Sequence, residues 1–320
     1  MSNPFTLPIR LFLFSIIAVL SITAAGIAQA DAARDGQFRG KDVTLHYKVH
    51  GDKGDYVILL SGGPGSDVGY MQPVADALKD SYRCVMLEQR GTGRSKLGKL
   101  EPDSVRMELY VEDLELLRQH LRAPRLILIG NSWGAMLGLL YSGTYPDRVE
   151  KLITAGSPVI TDKYADIMDD NLRSRLLPEV ISLRNEWRDK ARKDPSLFRT
   201  ASYERDKLVM PVYYYSREIG LKMAIALRPD DVNYDLGREF GRAYPSFDIR
   251  PTISRIKAPT LLIHGRQDPS PESSIVETHD LIKGSVLTFI ERCGHTPWEE
   301  NPAATFKLMR EFLLKAKICP

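Results

Sequence analysis

The sequence predicts an α/β fold: a mostly parallel sheet flanked by helices, with a helical cap inserted into it. Three observations lead there. Short apolar runs of buried-strand type alternate with helical stretches in the first half of the chain and again in its last quarter. One such run, residues 125–129 (RLILI), turns within a few residues into a helical run at 135–141. From about 160 to 248 the alternation stops, and the chain becomes helical in pattern, rich in Arg, Asp and Tyr, with breaks at Pro178, Pro195, Pro211 and Pro229. Residues 31–159 and 249–320 are therefore expected to form one core, and residues 160–248 the cap. At 320 residues the chain is long enough for both.

The first thirty residues stand apart. Arg10 precedes an apolar stretch at 11–20, and small residues follow, ending Ala28-Gln29-Ala30. This is the layout of a secretory signal peptide cleaved after Ala30, and it predicts an exported protein, periplasmic or secreted, with no stable membrane anchor once cleaved. The alternative is an uncleaved anchor, because the apolar region as a whole approaches spanning length.

The remaining elements follow in order. Residues 43–49 alternate and read as an edge strand that turns at 50–54. Residues 55–60 and 82–87 are strands, and 71–78 a short helix. Ser104 is the expected N-cap of a longer helix, with apolar residues at Leu109, Val111, Leu114, Leu117 and Leu121. Residues 148–155 are the strand after the 135–141 helix. Beyond the cap, 260–263 and 285–290 are strands and 302–317 an amphipathic closing helix.

Composition narrows the function. Lys and Arg total 44 against 41 Asp and Glu, and no charge run suggests a nucleic-acid partner. No repeat or low-complexity tract is present. The three cysteines, Cys84, Cys293 and Cys319, cannot all pair within one chain, and no spacing suggests a metal site.

The chemistry concentrates at Gly130-Asn131-Ser132-Trp133-Gly134, a G-x-S-x-G pattern between strand and helix. That context makes it a nucleophile elbow with Ser132 at the apex. A serine hydroxyl needs a base and an orienting acid, and in this chain order both lie downstream, acid first. Asp268 follows the strand at 260–263, and His295 follows the strand at 285–290; both fall beyond the carboxyl ends of strands, where a parallel sheet presents its ligand loops. Asp248 and Asp280 compete less well for the acid. His264 precedes the acid and reads as a packing or supporting residue. A fourth part is the turn Ser61-Gly62-Gly63-Pro64-Gly65, which suits an oxyanion hole made by the N–H groups of Gly63 and Trp133. No phosphate-loop or dinucleotide pattern is present. This chemistry requires no cofactor and no metal.

These motifs, together with Glu88-Gln89-Arg90-Gly91-Thr92-Gly93-Arg94-Ser95, Gly265-Arg266-Gln267-Asp268 and Gly294-His295, resemble the α/β-hydrolase superfamily, nearest its proline iminopeptidase branch. The resemblance spans roughly 40–160 and 250–315. It implies a Ser132, Asp268 and His295 triad with Gly63 and Trp133 as oxyanion donors. Ser61 stands where that branch usually has histidine, and Glu88 where it has aspartate. The segment at 88–95 reads as a support beneath the site, with Arg90 pairing to a buried acid.

The resemblance implies a serine hydrolase that cleaves an amide or ester bond through an acyl-enzyme, most directly an aminopeptidase acting on a short peptide. A carboxylesterase or lactonase acting on a small molecule uses the same machinery. A non-catalytic binding protein on this fold is disfavoured by a complete triad. The cap decides among these. Glu186, Glu204, Glu218 and Glu239 are the candidate anchors for a substrate's ammonium group, and Tyr213, Tyr214, Tyr215 and Trp187 the candidate pocket aromatics.

Overall fold

The computed structural model describes residues 33–156 and 158–315. The signal segment expected at 1–30 and Cys319 lie outside them. In chain order the elements are β1 (Arg34–Arg39), β2 (Thr44–His50), β3 (Tyr56–Leu60), α1 (Gln72–Leu78), β4 (Arg83–Glu88), α2 (Met107–His120), β5 (Leu126–Gly130), α3 (Trp133–Thr144) and β6 (Val149–Ala155). Five helices follow: α4 (Asp162–Ser174), α5 (Pro178–Lys193), α6 (Phe198–Val209), α7 (Arg217–Ala226) and α8 (Tyr234–Ala243). The chain then returns through α9 (Arg250–Ile253), β7 (Thr260–Gly265), α10 (Glu272–Leu281), β8 (Val286–Ile290), α11 (Pro297–Glu300) and α12 (Pro302–Leu314).

The eight described strands form one sheet in the order β1-β2-β4-β3-β5-β6-β7-β8. The first two pairings are antiparallel and the other five parallel. Because β3, β5, β7 and β8 run the same way, the loops that follow them gather along one edge of the sheet. Chain entry into and exit from the inserted helices are joined by a bridge between Thr161 and Asp248.

The central strands are apolar throughout because both faces are covered. Successive side chains alternate. Ile58, Leu60, Leu126 and Leu128 face one core with Leu114 and Leu117 of α2 and Leu137 of α3. Val57, Leu59, Ile127 and Ile129 face the other, with Val74 of α1 and Met309 and Phe312 of α12. Each such side chain contributes about 1.5–3 kcal/mol through burial. The buried Lys151 on β6 donates to the carbonyls of Phe312, Leu313 and Lys315, which closes the C-terminal end of α12.

Three elements differ from the sequence reading. β1 was not expected; it pairs with β2 and takes the sheet edge, so β2 is an inner strand. Only Phe38 of β1 is buried, which is why no apolar pattern announces it. The long helix begins at Met107, not after Ser104. Ser104 lies in a 3-10 turn, Pro102–Val105, where its hydroxyl accepts from the Glu101 N–H and donates to the Glu101 carbonyl. The closing helix ends at Leu314.

Candidate active site

Ser132 sits between β5 and α3 with φ 53° and ψ −121°. A non-glycine residue there carries roughly 1–3 kcal/mol of backbone strain. The surroundings hold it: the Ser132 N–H donates to the Gly156 carbonyl at 3.0 Å, and its carbonyl accepts from the Met136 N–H. The flanking glycines are required by space. A Cβ on Gly130 would lie 2.3 Å from the Gly134 carbonyl oxygen, and one on Gly134 would lie 2.0 Å from that of Leu60. Without side chains, strand and helix close around the turn and leave the serine at its tip.

His295, in the loop after β8, is buried. Its Nδ1 lies 2.8 and 2.9 Å from the two carboxylate oxygens of Asp268, in the loop after β7. Asp268 also accepts the Ser270 N–H at 2.8 Å. Burial alone would raise the Asp268 carboxyl, but the charge and hydrogen bond of His295, with His264 nearby, hold it below the ordinary carboxylate range. His264 is fully buried, with Nδ1 4.0 Å from Asp268 and its ring edge-on to Phe289. Burial lowers its own pKa. It backs the acid from behind.

The glycine turn after β3 closes on the serine. A Cβ on Gly62 would meet that of Ser132 at 3.2 Å. The Gly62 N–H is already taken by the Tyr70 hydroxyl at 2.7 Å. Gly63, at φ 112°, lines the cavity, and Trp133 opens α3, where a backbone N–H has no intrahelical acceptor.

Four further residues tie these loops together. Tyr70 donates to Asn131 Oδ1 at 2.8 Å, and Asn131 Nδ2 donates to the Ala155 and His295 carbonyls. Gln89 accepts from the Trp133 indole at 2.8 Å and donates to Ser61. Glu300 accepts the Gly294 and Ser216 N–H groups, which joins the histidine loop to the cap. Beneath them Arg90 holds the buried Asp113 in a two-pronged ion pair at 2.7 and 2.8 Å. Burial nonetheless pushes the Asp113 carboxyl up to about 6. None of Tyr70, Gln89, Asn131 or Glu300 was singled out from sequence. Asn131 is the variable position inside G-x-S-x-G, and Gln89 lies in the segment read as a support.

A cavity of about 770 Å³ opens over Ser132 and His295. Gly62, Gly63 and Pro64 form its floor; Arg184, Arg205, Asp206, Tyr213, Tyr214 and Tyr234 come from the inserted helices. The Tyr213 carbonyl accepts the His295 N–H at 2.9 Å, and its ring lies 5.4 Å from the imidazole.

Residues 55–302 match the family model for the alpha/beta hydrolase fold. The chain belongs to that family. Among curated relatives, a proline iminopeptidase of Lactobacillus helveticus is 24% identical, over 84% of this chain and 93% of its own. A 2-hydroxy-6-oxononadienedioate/2-hydroxy-6-oxononatrienedioate hydrolase of Escherichia coli is 25% identical, over 87% and 93%. The solved proline iminopeptidase of Mycobacterium smegmatis superposes with a TM-score of 0.69 at 19% identity, covering 88% of this chain and 97% of that one.

In this α/β hydrolase the four glutamates expected to anchor an amine do not line the cavity. Glu186 and Glu218 are exposed on α5 and α7. Glu204 pairs with Lys207 at 3.7 Å along the surface of α6. Glu239 is buried, but Arg238 and Arg242 hold it at 3.1 and 3.0 Å. The helix faces are set by packing, and they turn these acids elsewhere. The acids on the cavity wall are Asp67, Asp206 and Asp231. Of the aromatics, Tyr213 and Tyr214 line the cavity. Tyr215 is half exposed, and Trp187 packs under Lys190 on α5.

Proposed function

We propose that this hydrolase cleaves an amide or ester bond through an acyl-enzyme on Ser132. One observation carries the reading: a His295–Asp268 pair opens onto the same cavity as a serine held at positive φ between strand and helix. Asp268 receives the Nδ1–H, so the other ring nitrogen is free to accept the Ser132 proton. As Ser132 attacks the carbonyl, the imidazolium forms beside a carboxylate already charged. The N–H groups of Gly63 and Trp133 take the negative oxygen. His295 then protonates the leaving amine or alcohol, and water releases the acyl group by the reverse path.

The relatives named proline iminopeptidase support release of an amino-terminal residue, proline first. In that reading Asp206 replaces the four glutamates as the cap acid for the free amine. A second reading, a carboxylesterase or lactonase, is favoured by the charges beside the wall acids. Arg228 pairs with Asp231, and the Arg184 and Arg205 charges act on Asp206, surroundings that oppose an incoming ammonium. The test is turnover of proline 4-nitroanilide against short-chain 4-nitrophenyl esters, by wild type and Ser132→Ala. Serine-dependent cleavage of the anilide supports the peptidase, and cleavage of esters alone the second reading. Turnover retained by Ser132→Ala contradicts both.

A further inference from the structure

Two guanidiniums that line the cavity make no hydrogen bond or ion pair among the described residues, although the charge of Asp206 reaches both. Arg184 on α5 and Arg205 on α6 both line it, and each buries its Nε without a hydrogen-bond acceptor among the described residues. They act on one another as like charges. Other arginines of the inserted helices are treated differently. Arg173, Arg199, Arg228, Arg238 and Arg242 each hold an Asp or Glu. Leaving a partly buried guanidinium unpaired is costly, because its donors lose water and gain nothing in return.

Asp206, next to Arg205, faces the same space beside Tyr213 and Tyr234. Among the described residues no ion pair joins Asp206 to either arginine, although both charges act on it. Arg173 and Asp169, whose charges also reach Arg184, cancel as a pair, so two cations and one carboxylate leave one positive charge on this wall. Elsewhere on the lining Arg228 and Asp231 cancel, and Asp67 accepts the Gly69 N–H. A singly charged anion completes the balance. A planar carboxylate also fits the guanidinium fork, which presents parallel donors at the spacing of its two oxygens.

We propose that Arg184 and Arg205 form a subsite for a carboxylate on the substrate, on the cavity wall that the inserted helices supply. This rests on the acyl-hydrolase reading above and adds the substrate's charge: a short peptide with a free carboxyl terminus, or an ester of a dicarboxylic acid. Asp206 keeps the pair from attracting more than one negative charge.

The test compares two esters of equal acyl length, mono-4-nitrophenyl glutarate and 4-nitrophenyl valerate. The wild type should prefer the anionic ester by about tenfold or more in kcat/KM, the range expected for a charge-assisted hydrogen bond. Arg205→Gln and Arg184→Gln should each reduce that preference, chiefly through KM. A wild-type ratio at or below one overturns the subsite, as does a ratio unchanged in both variants. If neither variant folds, the wild-type ratio decides. Should the protein turn over neither ester, calorimetry on Ser132→Ala separates the two claims. Tighter binding of the glutarate ester than of the valerate ester supports the subsite, whatever becomes of the serine; equal binding overturns it.

Discussion

Asn131 Nδ2 donates to the backbone carbonyl of His295 at 3.0 Å, so the residue before Ser132 holds the loop that carries His295. Its Oδ1 accepts from Tyr70, whose hydroxyl also receives the Gly62 N–H in the glycine turn after β3. One side chain thus fixes three loops from three strands.

Asn131→Ala should therefore lower kcat by about 10²-fold, the cost of a misplacement on the order of 1 Å. Steady-state kinetics on the best ester check this. The burst of bound acyl product should shrink in rate but not in amplitude. Unchanged kcat would show that the loops hold their positions without it.

Asp268→Asn should lower kcat by about 10⁴-fold with the fold retained, because the amide selects the wrong imidazole tautomer. A pH effect on stability accompanies it. The folded Asp268 carboxyl lies below its unfolded value, so its contribution is fully present above about pH 4. It is lost as pH falls through the lower folded value. Urea melts from pH 6 down to pH 2 should show a steeper acid loss in wild type than in Asp268→Asn; equal slopes would contradict the assignment.

Gly134→Ala should destabilise the protein by about 3 kcal/mol or abolish soluble expression. The added methyl would enter the Leu60 carbonyl, which belongs to a central strand and cannot move aside. Chemical denaturation measures it, and a loss within error of zero would mean that the elbow relaxes.

We propose export with cleavage after Ala30, from the Arg10, apolar and Ala28-Gln29-Ala30 layout. Intact mass of the periplasmic or secreted protein should give Asp31 as the first residue. Membrane-bound protein that retains Met1 would favour the uncleaved anchor.

The parts legible in sequence are those where backbone geometry restricts the residue. Gly130 and Gly134 have no alternative at their positions, and the strands at 55–60 and 125–129 are apolar because both their faces are covered. β1 escaped notice because an edge strand with one buried residue has no pattern. Ser104 carried a capping side chain, yet it bonds within its own 3-10 turn. The cap misled most. A carboxylate on an amphipathic helix faces cavity, partner or solvent by a rotation of that helix, which neighbouring helices decide. Glu239 and Asp206 are equally acidic in sequence; two arginines took the first, and the cavity wall received the second.

Labelling with a fluorophosphonate, followed by peptide mass spectrometry, tests the central claim most directly. The reagent requires an activated serine hydroxyl beside a working base and oxyanion hole. The account predicts one adduct per chain on the peptide containing Ser132, absent from Ser132→Ala and much slower to form in Asp268→Asn. Labelling at another serine, or none in a folded wild-type protein, would contradict it.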